Sequence, residues 1–449
     1  MKKSVFFTFL ILAICMNSSL FSSGVEITIS KKIDRKIRLT ILPTSPALNA
    51  SIRSLEFEKV FNELLLFDLS HAGYFEIWPD KAVFPNPDNT PVTPYEISYD
   101  YWLNKGTELV LTCMYSLNGN SGSIELFCYD IALRKQLVKI SIPFYGNNDR
   151  FLFHQLTAAF IEHFSGAIPS IALSQISYVE QTGAAKNILC SDYDGYNRKQ
   201  ITFGDSLNLN PEWASHTQGL FFVSYKRDYP FIFFQDFNAN TLAVVSHQPG
   251  LNAFPVPSPD GTMIAATLSV SGNPEIYILG TSGEIIRRIT YHESVDSSPC
   301  WSPDSTQLAF VSDRSGTPQI YTISLYDETP KRITYHGNYN ASPDWNPTHG
   351  STILIYTSLY GKNSELCMVD VSSGNTKRLT ATLASEEDPS WAPDGIHISY
   401  TLTQDYRSDI YFMDVRDQQP FRLTTGNGSY SSSSWQKYPI YHKKPNIKE

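Results

Sequence analysis

The sequence predicts a six-bladed β-propeller, an all-β ring, preceded by a smaller α+β domain, and three observations carry that expectation. Trp213, Trp301, Trp345, Trp391 and Trp435 recur at multiples of 44 residues with one step of 46, and Pro257 stands in the missing Trp position. Two residues before these positions stand Pro211, Pro255, Pro299, Pro343 and Pro389, with Ser433 as the one break. Most are followed by a turn such as SPDG at 258–261 or APDG at 392–395 and then a short run of β-branched, aromatic and small residues, which reads as strand, turn, strand.

Each repeat can be filled in from there. Ile188, Ile232, Ile276, Ile320, Leu366 and Ile410 mark third strands in constant phase. Ile201-Thr202, Ile289-Thr290, Ile333-Thr334, Leu379-Thr380 and Leu423-Thr424 mark the fourth. Four short antiparallel strands per unit of this length is the arithmetic of a propeller blade. First strands number six only if residues 431–435 are included, and that strand has no second, third or fourth strand after it, whereas residues 175–202 supply those three. The last strand is therefore expected to pair with the start of the array, closing the ring and removing its exposed edges. The tryptophans are read as core between blades, and the Asp-Gly and Pro residues as turn chemistry.

Residues 25–168 lack the repeat. Strands are predicted at 37–42 and 74–77, helices at 55–69, near 95–105 and at 150–164, and a hairpin around 118–123, with the proline-rich stretch 79–94 as a loop. The propeller then spans 169–436 and a basic tail 437–449, with Lys437, Lys443, Lys444 and Lys448 read as a solvated end.

Residues 1–24 read as a secretory signal: Lys2 and Lys3, an apolar run from Val5 to Met16, and a small-residue cleavage site at Ser22-Ser23-Gly24, so the mature chain is expected to begin at Val25. That twelve-residue run spans only about 18 Å as a helix, well short of a hydrocarbon core of roughly 30 Å. Ile14 before Cys15 argues against lipidation, which wants a small residue there. No other segment is expected to span a bilayer. The formal net charge of −9 becomes −11 without the two leader lysines, a surface that should repel nucleic acid.

Five cysteines outside the leader, an odd number without metal-ligand spacing, do not organise the fold. Cys113 and Cys128 lie about symmetrically around the predicted hairpin turn, and a cross-strand disulfide is the corresponding expectation, although extended strands fit disulfide geometry poorly.

Several segments resemble one known family. Residues 191–197, SDYDGYN, look like a hallmark of the TolB family of the Tol-Pal envelope system; Phe164-Ser165-Gly166 with Ile176-Ser177-Tyr178-Val179 resembles its domain junction, and residues 68–75, DLSHAGYF, its helix-to-strand turn. The resemblance implies a non-enzymatic, monomeric periplasmic adaptor without cofactors or metal, binding a Pal-like peptidoglycan-associated lipoprotein on the propeller and a TolA-like inner-membrane protein through the start of the mature chain. The candidate tail residues are Val25, Glu26, Ile27, Thr28 and Ile29. The candidate rim residues, in loops entering the innermost strands, are Leu251, Asn252, Phe254, His292, Asp296, Ser297, His336, Asn340 and Glu386. An alternative for Asn208, Asn252, Asp296 and Asn340 is capping of the turn into the strand. Leu251 is a departure, since the family tends to carry His there.

Two other classes stand beside this one. A propeller-gated peptidase would want a GxSxG elbow or HExxH, and neither occurs; Ser434-Trp-Gln-Lys437 satisfies S-x-x-K without partner motifs, and Asp192-Tyr-Asp194-Gly195 lacks the remaining ligands of a calcium loop. A propeller that binds a sugar or metabolite would make His292 and His336 the first suspects.

Overall fold

The structure, a computed structural model, describes residues 35–47, 55–78, 97–119, 121–145, 150–166, 168–327, 329–438 and 447–448. The expected signal segment, the candidate tail 25–29 and the proline-rich stretch lie outside these residues.

The N-terminal domain is a mixed sheet with helices on both faces. Strand β1 (Ile37–Ile41) runs parallel to β2 (Phe75–Ile77) on one side and to β3 (Leu109–Asn118) on the other. β3, β4 (Ser121–Asp130) and β5 (Lys135–Tyr145) form an antiparallel meander, and Ile447–Lys448 adds a short strand to the outer edge of β5. Helices α1 (Leu55–Ser70) and α3 (Arg150–Ser165) bury Phe57, Phe61, Leu65, Leu156 and Phe160 against one face. On the other face α2 (Tyr99–Asn104) sets Trp102 against Val110 and Phe127. That helix is shorter than predicted. It starts four residues later, at Tyr99, with Ser98 at its N-cap position.

The disulfide expectation is corrected by register. Asn118 pairs with Ser121, which places Cys113 opposite Leu126 and Cys128 opposite Leu111. The two cysteines are a step out of alignment, and both are free and buried; Cys190, Cys300 and Cys367 are free as well.

Helix α3 ends at Gly166, whose φ of +71° suits a glycine stop, and a single 3-10 turn at Ile171–Leu173, capped by Ser170, leads into the ring. Six four-stranded sheets follow. The first blade joins Ser429–Trp435 to Gln175–Thr182, Ala185–Asp192 and Lys199–Gln200, so the chain's last propeller strand closes the ring as expected. The other innermost strands are Asn208–Trp213, Asn252–Pro257, Asp296–Trp301, Asn340–Trp345 and Ser385–Trp391.

The sequence markers have physical roles. All five tryptophans are buried, and Trp213 and Trp301 donate from Nε1 to the carbonyls of Ser434 and Val256 in the neighbouring blade. In the SPD turns, Met263 N–H donates to Ser258 Oγ while the Asp260 carboxylate accepts from Thr262, and Ser302, Asp304 and Gln307 repeat the pattern. The Ile-Thr and Leu-Thr pairs sit just beyond the fourth strands. There each Thr Oγ1 accepts the amide of the third-strand marker, at 2.8–3.0 Å for Ile188, Ile276, Ile320, Leu366 and Ile410, and so replaces a ladder bond with a side-chain one.

Candidate partner-binding surfaces

An antiparallel blade sends its first-to-second and third-to-fourth connections to one side of the ring and the others to the opposite side. The N-terminal domain contacts the first of these sides through the third-to-fourth connections. Asp68 of α1, fully buried, accepts hydrogen bonds from Tyr193 Oη and Thr157 Oγ1 and lies 2.9 Å from His154 Nδ1. His154 Nε2 faces Asp194 at 3.4 Å, and Arg150 pairs with that same carboxylate while its guanidinium lies 3.6 Å from the centre of the Tyr196 ring. A second contact joins Arg416 Nη2 to the carbonyl of Gly73, with Lys36 paired to Asp417. Gly73 has φ +77°, and a Cβ there would stand 2.5 Å from Arg416 Nη2, so the DLSHAGYF turn needs its glycine.

The electrostatics of this node follow from its two buried carboxylates. Burial pushes the His154 imidazole toward neutrality, but Asp68 and Asp194 more than offset it, raising its pKa to about 10. Burial likewise lifts the Asp194 carboxyl, and the bonds from His154 and Tyr196 N–H with the charge of Arg150 bring it below its ordinary value. Tyr193 stays protonated, its pKa driven up by burial beside Asp68. SDYDGYN is thus a hairpin turn, with Gly195 N–H on Asp192 C=O, and also the propeller's half of the domain junction. The sequence places Arg150, His154 and Thr157 only within the helix predicted at 150–164; their polar series at i, i+4 and i+7 on its buried stripe is the available signal.

The opposite side carries the predicted rim. Asn252, Asp296, Asn340 and Glu386 are buried there. Asn252 holds its own loop through Gln248 N–H and C=O, Asn340 Nδ2 donates to Gln319 Oε1 and His336 C=O, Asp296 accepts from Arg314 at 2.6 Å, and Glu386 accepts from Thr382. Burial raises the carboxyl pKa of both Asp296 and Glu386. Their side chains shape the loops. His292 and His336 are exposed, and Leu251, Phe254 and Ser297 partly so.

Sequence reasoning passed over the larger apolar groups beside them. Phe203, Tyr291 and Tyr335 are 66–73 % exposed, and Tyr229, Leu383 and Tyr406 project from the same side. Arg288 lies 4.4 Å from the Tyr291 ring centre and Arg332 5.0 Å from that of Tyr335, which orients both rings.

This rim surrounds a central channel walled by a six-fold device. Asn210, Phe254, Ser298, Ser342, Asp388 and Ser432 occupy one equivalent position, all with φ of 48–52°, at a bulge in each first strand. Toward the other end Lys437 pairs with Asp344, so this residue of the basic tail is a half-buried counter-ion and not a solvated end. Burial raises the nearby Glu212 carboxyl to about 7, against the pull of Lys437. No group of three or more metal-ligating side chains forms among the described residues, and no helix among them is long and apolar enough to cross a membrane.

Comparisons agree with this architecture. Residues 166–439 match the TolB beta propeller domain and residues 25–137 the TolB amino-terminal domain. A Tol-Pal system protein TolB from Desulfosudis oleivorans is 31% identical over 281 residues, 63% of this chain and 64% of that protein; one from Myxococcus xanthus is 29% identical over 170 residues, 38% and 39% of the two chains. The chain thus spans somewhat under two thirds of the length of the first relative and less of the second. A crystal structure of TolB from Acinetobacter baumannii shares the fold with a TM-score of 0.77 at 23% identity, over 90% of this chain and 97% of that one. With one family model matching its propeller and another most of its amino-terminal domain, the chain belongs to the TolB family of the Tol-Pal system.

Proposed function

We propose that this protein is a non-enzymatic, periplasmic adaptor whose open propeller side receives a Pal-type lipoprotein, while the start of the mature chain, Val25 to Ile29, meets a TolA-type inner-membrane protein. Such a link would couple outer-membrane maintenance and cell division to the inner membrane. One observation carries the reading: the N-terminal domain occupies one side of the ring and leaves the other to a set of exposed aromatic residues around a channel mouth. Exposed, oriented Tyr side chains on a rigid scaffold supply large contact area at low entropic cost and are frequent hot spots of protein interfaces. The absence of GxSxG and HExxH from the sequence weighs against a hydrolase.

The test is capture of a purified soluble Pal-type domain from the same envelope by immobilised mature protein. Tyr291→Ala combined with Tyr335→Ala should weaken capture by about tenfold or more, the scale of one hot spot, while Leu133→Ala on the N-terminal domain leaves it unchanged. Absence of capture by the unmodified protein, together with turnover of a peptide library, would overturn the reading.

A further inference from the structure

The repeat allows junctions between blades to be compared position by position, and two of them, offset by 88 residues, differ in charge. Between the third and fourth blades the outer region is closed by two ion pairs. Arg288 bonds Glu275 at 2.7 Å and covers the Tyr291 ring; Arg314 bonds Asp296 at 2.6 Å and lies 5.6 and 5.2 Å from the ring centres of Phe310 and Tyr321. The four charges balance.

Between the first and second blades the same positions hold Asn187, Gln200, Asn208 and Lys226, with Phe203, Phe222 and Phe233 in place of Tyr291, Phe310 and Tyr321. Gln200 keeps the backbone bond that Arg288 makes, Nε2 to the Thr202 carbonyl at 2.8 Å, but is too short to close the space beyond it. Asn208 spends its amide on the Lys186 carbonyl and on Asn187. Lys226 is therefore left without a carboxylate among the described residues.

Where the guanidinium stacks would lie, a cavity of about 170 Å³ opens, lined by Phe203, Phe222, Phe233 and Leu242 with Thr202, Ser224, Gln235 and Lys226. An apolar cavity of roughly 150 Å³ accepts benzene, so this one is sized for a single six-membered ring with a small substituent. Aromatic walls, a few polar groups and one unpaired cation are the composition of a small-ligand site. We propose that this cavity binds a small aromatic monocarboxylate, its ring between the phenylalanines and its carboxylate on the Lys226 ammonium, in the place that Asp296 fills for Arg314.

Fluorine NMR on the mature full-length protein, with 4-fluorophenylacetate as the probe and 4-fluorotoluene as its neutral counterpart, tests this. The carboxylate should bind saturably and more tightly than the toluene. Lys226→Met should weaken the carboxylate by about tenfold, the scale of a charged hydrogen bond, without weakening the toluene. Leu242→Trp, at an exposed position on the cavity wall, should block both. Lack of saturable carboxylate binding, affinity undiminished in Lys226→Met, or binding that survives Leu242→Trp would each overturn the proposal.

Discussion

Asp68 ties the two domains together through one buried carboxylate. Its carboxylate has no exposed surface and serves Tyr193 from the propeller together with His154 and Thr157 from α3. Asp68→Asn preserves shape, but its single carbonyl oxygen can replace only one of the two carboxylate oxygens that accept from Tyr193 and Thr157, and it removes the negative charge that helps keep His154 protonated. Breaking a buried pair in this way typically costs about 3–5 kcal/mol. We expect Asp68→Asn to lose several kcal/mol in equilibrium denaturation, against less than about 0.5 kcal/mol for Arg35→Ala, whose pair with Glu108 is solvent-exposed. A stability equal to that of the unmodified protein would show that the node contributes specificity alone. Legibility at this scale was uneven. Asp68 and Tyr193 stand in recognisable segments, whereas His154 stands with Arg150 and Thr157 in a polar series along α3, and nothing local signals that its partners come from two domains.

At the scale of elements, the innermost strands unite closure with the channel. Each carries the bulge that points one left-handed residue inward, and five of the six end in a tryptophan packed between blades. The strand Ser429–Trp435 does this while being separated from its sheet partner Gln175–Thr182 by nearly the whole propeller sequence. Ring closure thus depends on a pairing of high sequence separation, which forms late and is costly in loop entropy. Truncation before Ser429 should expose two sheet edges and remove Trp435. The expected result is loss of cooperative thermal unfolding and the appearance of aggregates in light scattering; a monomeric protein with an unchanged melting temperature would contradict it. The strands, their order and the closing role of the last one were readable in advance because the period is regular and each blade repeats the same turn chemistry. Register was not, as Cys113 and Cys128 demonstrate: a one-residue error in locating a turn shifts every cross-strand pair.

For the whole molecule, the two domains meet through charge as well as through packing, and this makes docking dependent on pH. His154 has a folded pKa of about 10 against an ordinary 6.5. A raised value means that the folded state holds the proton more tightly, so the contribution is fully present below about 6.5 and is lost as pH rises toward 10. Glu212, raised to about 7 from 4.5, acts in the same direction over its own lower window. Melting temperature should therefore fall between pH 6.5 and 10 in the unmodified protein, and His154→Gln should start lower and flatten that slope; parallel curves for the two would rule out His154 as its source. Sequence alone determined the ring, its six blades, its terminal closure and the mixed domain before it, because periodic apolar patterning and turn residues act through near neighbours; the family was legible only through the resemblance of segments such as SDYDGYN. Only the tertiary structure decided that four of the rim positions are buried in their own loops, that Lys437 is a channel counter-ion, that SDYDGYN docks onto α1 and α3, and that one junction between blades lacks the charges that close another. Burial and pairing of a side chain depend on residues far away in the chain, and those neighbours exist only once the ring has closed and the domains have met.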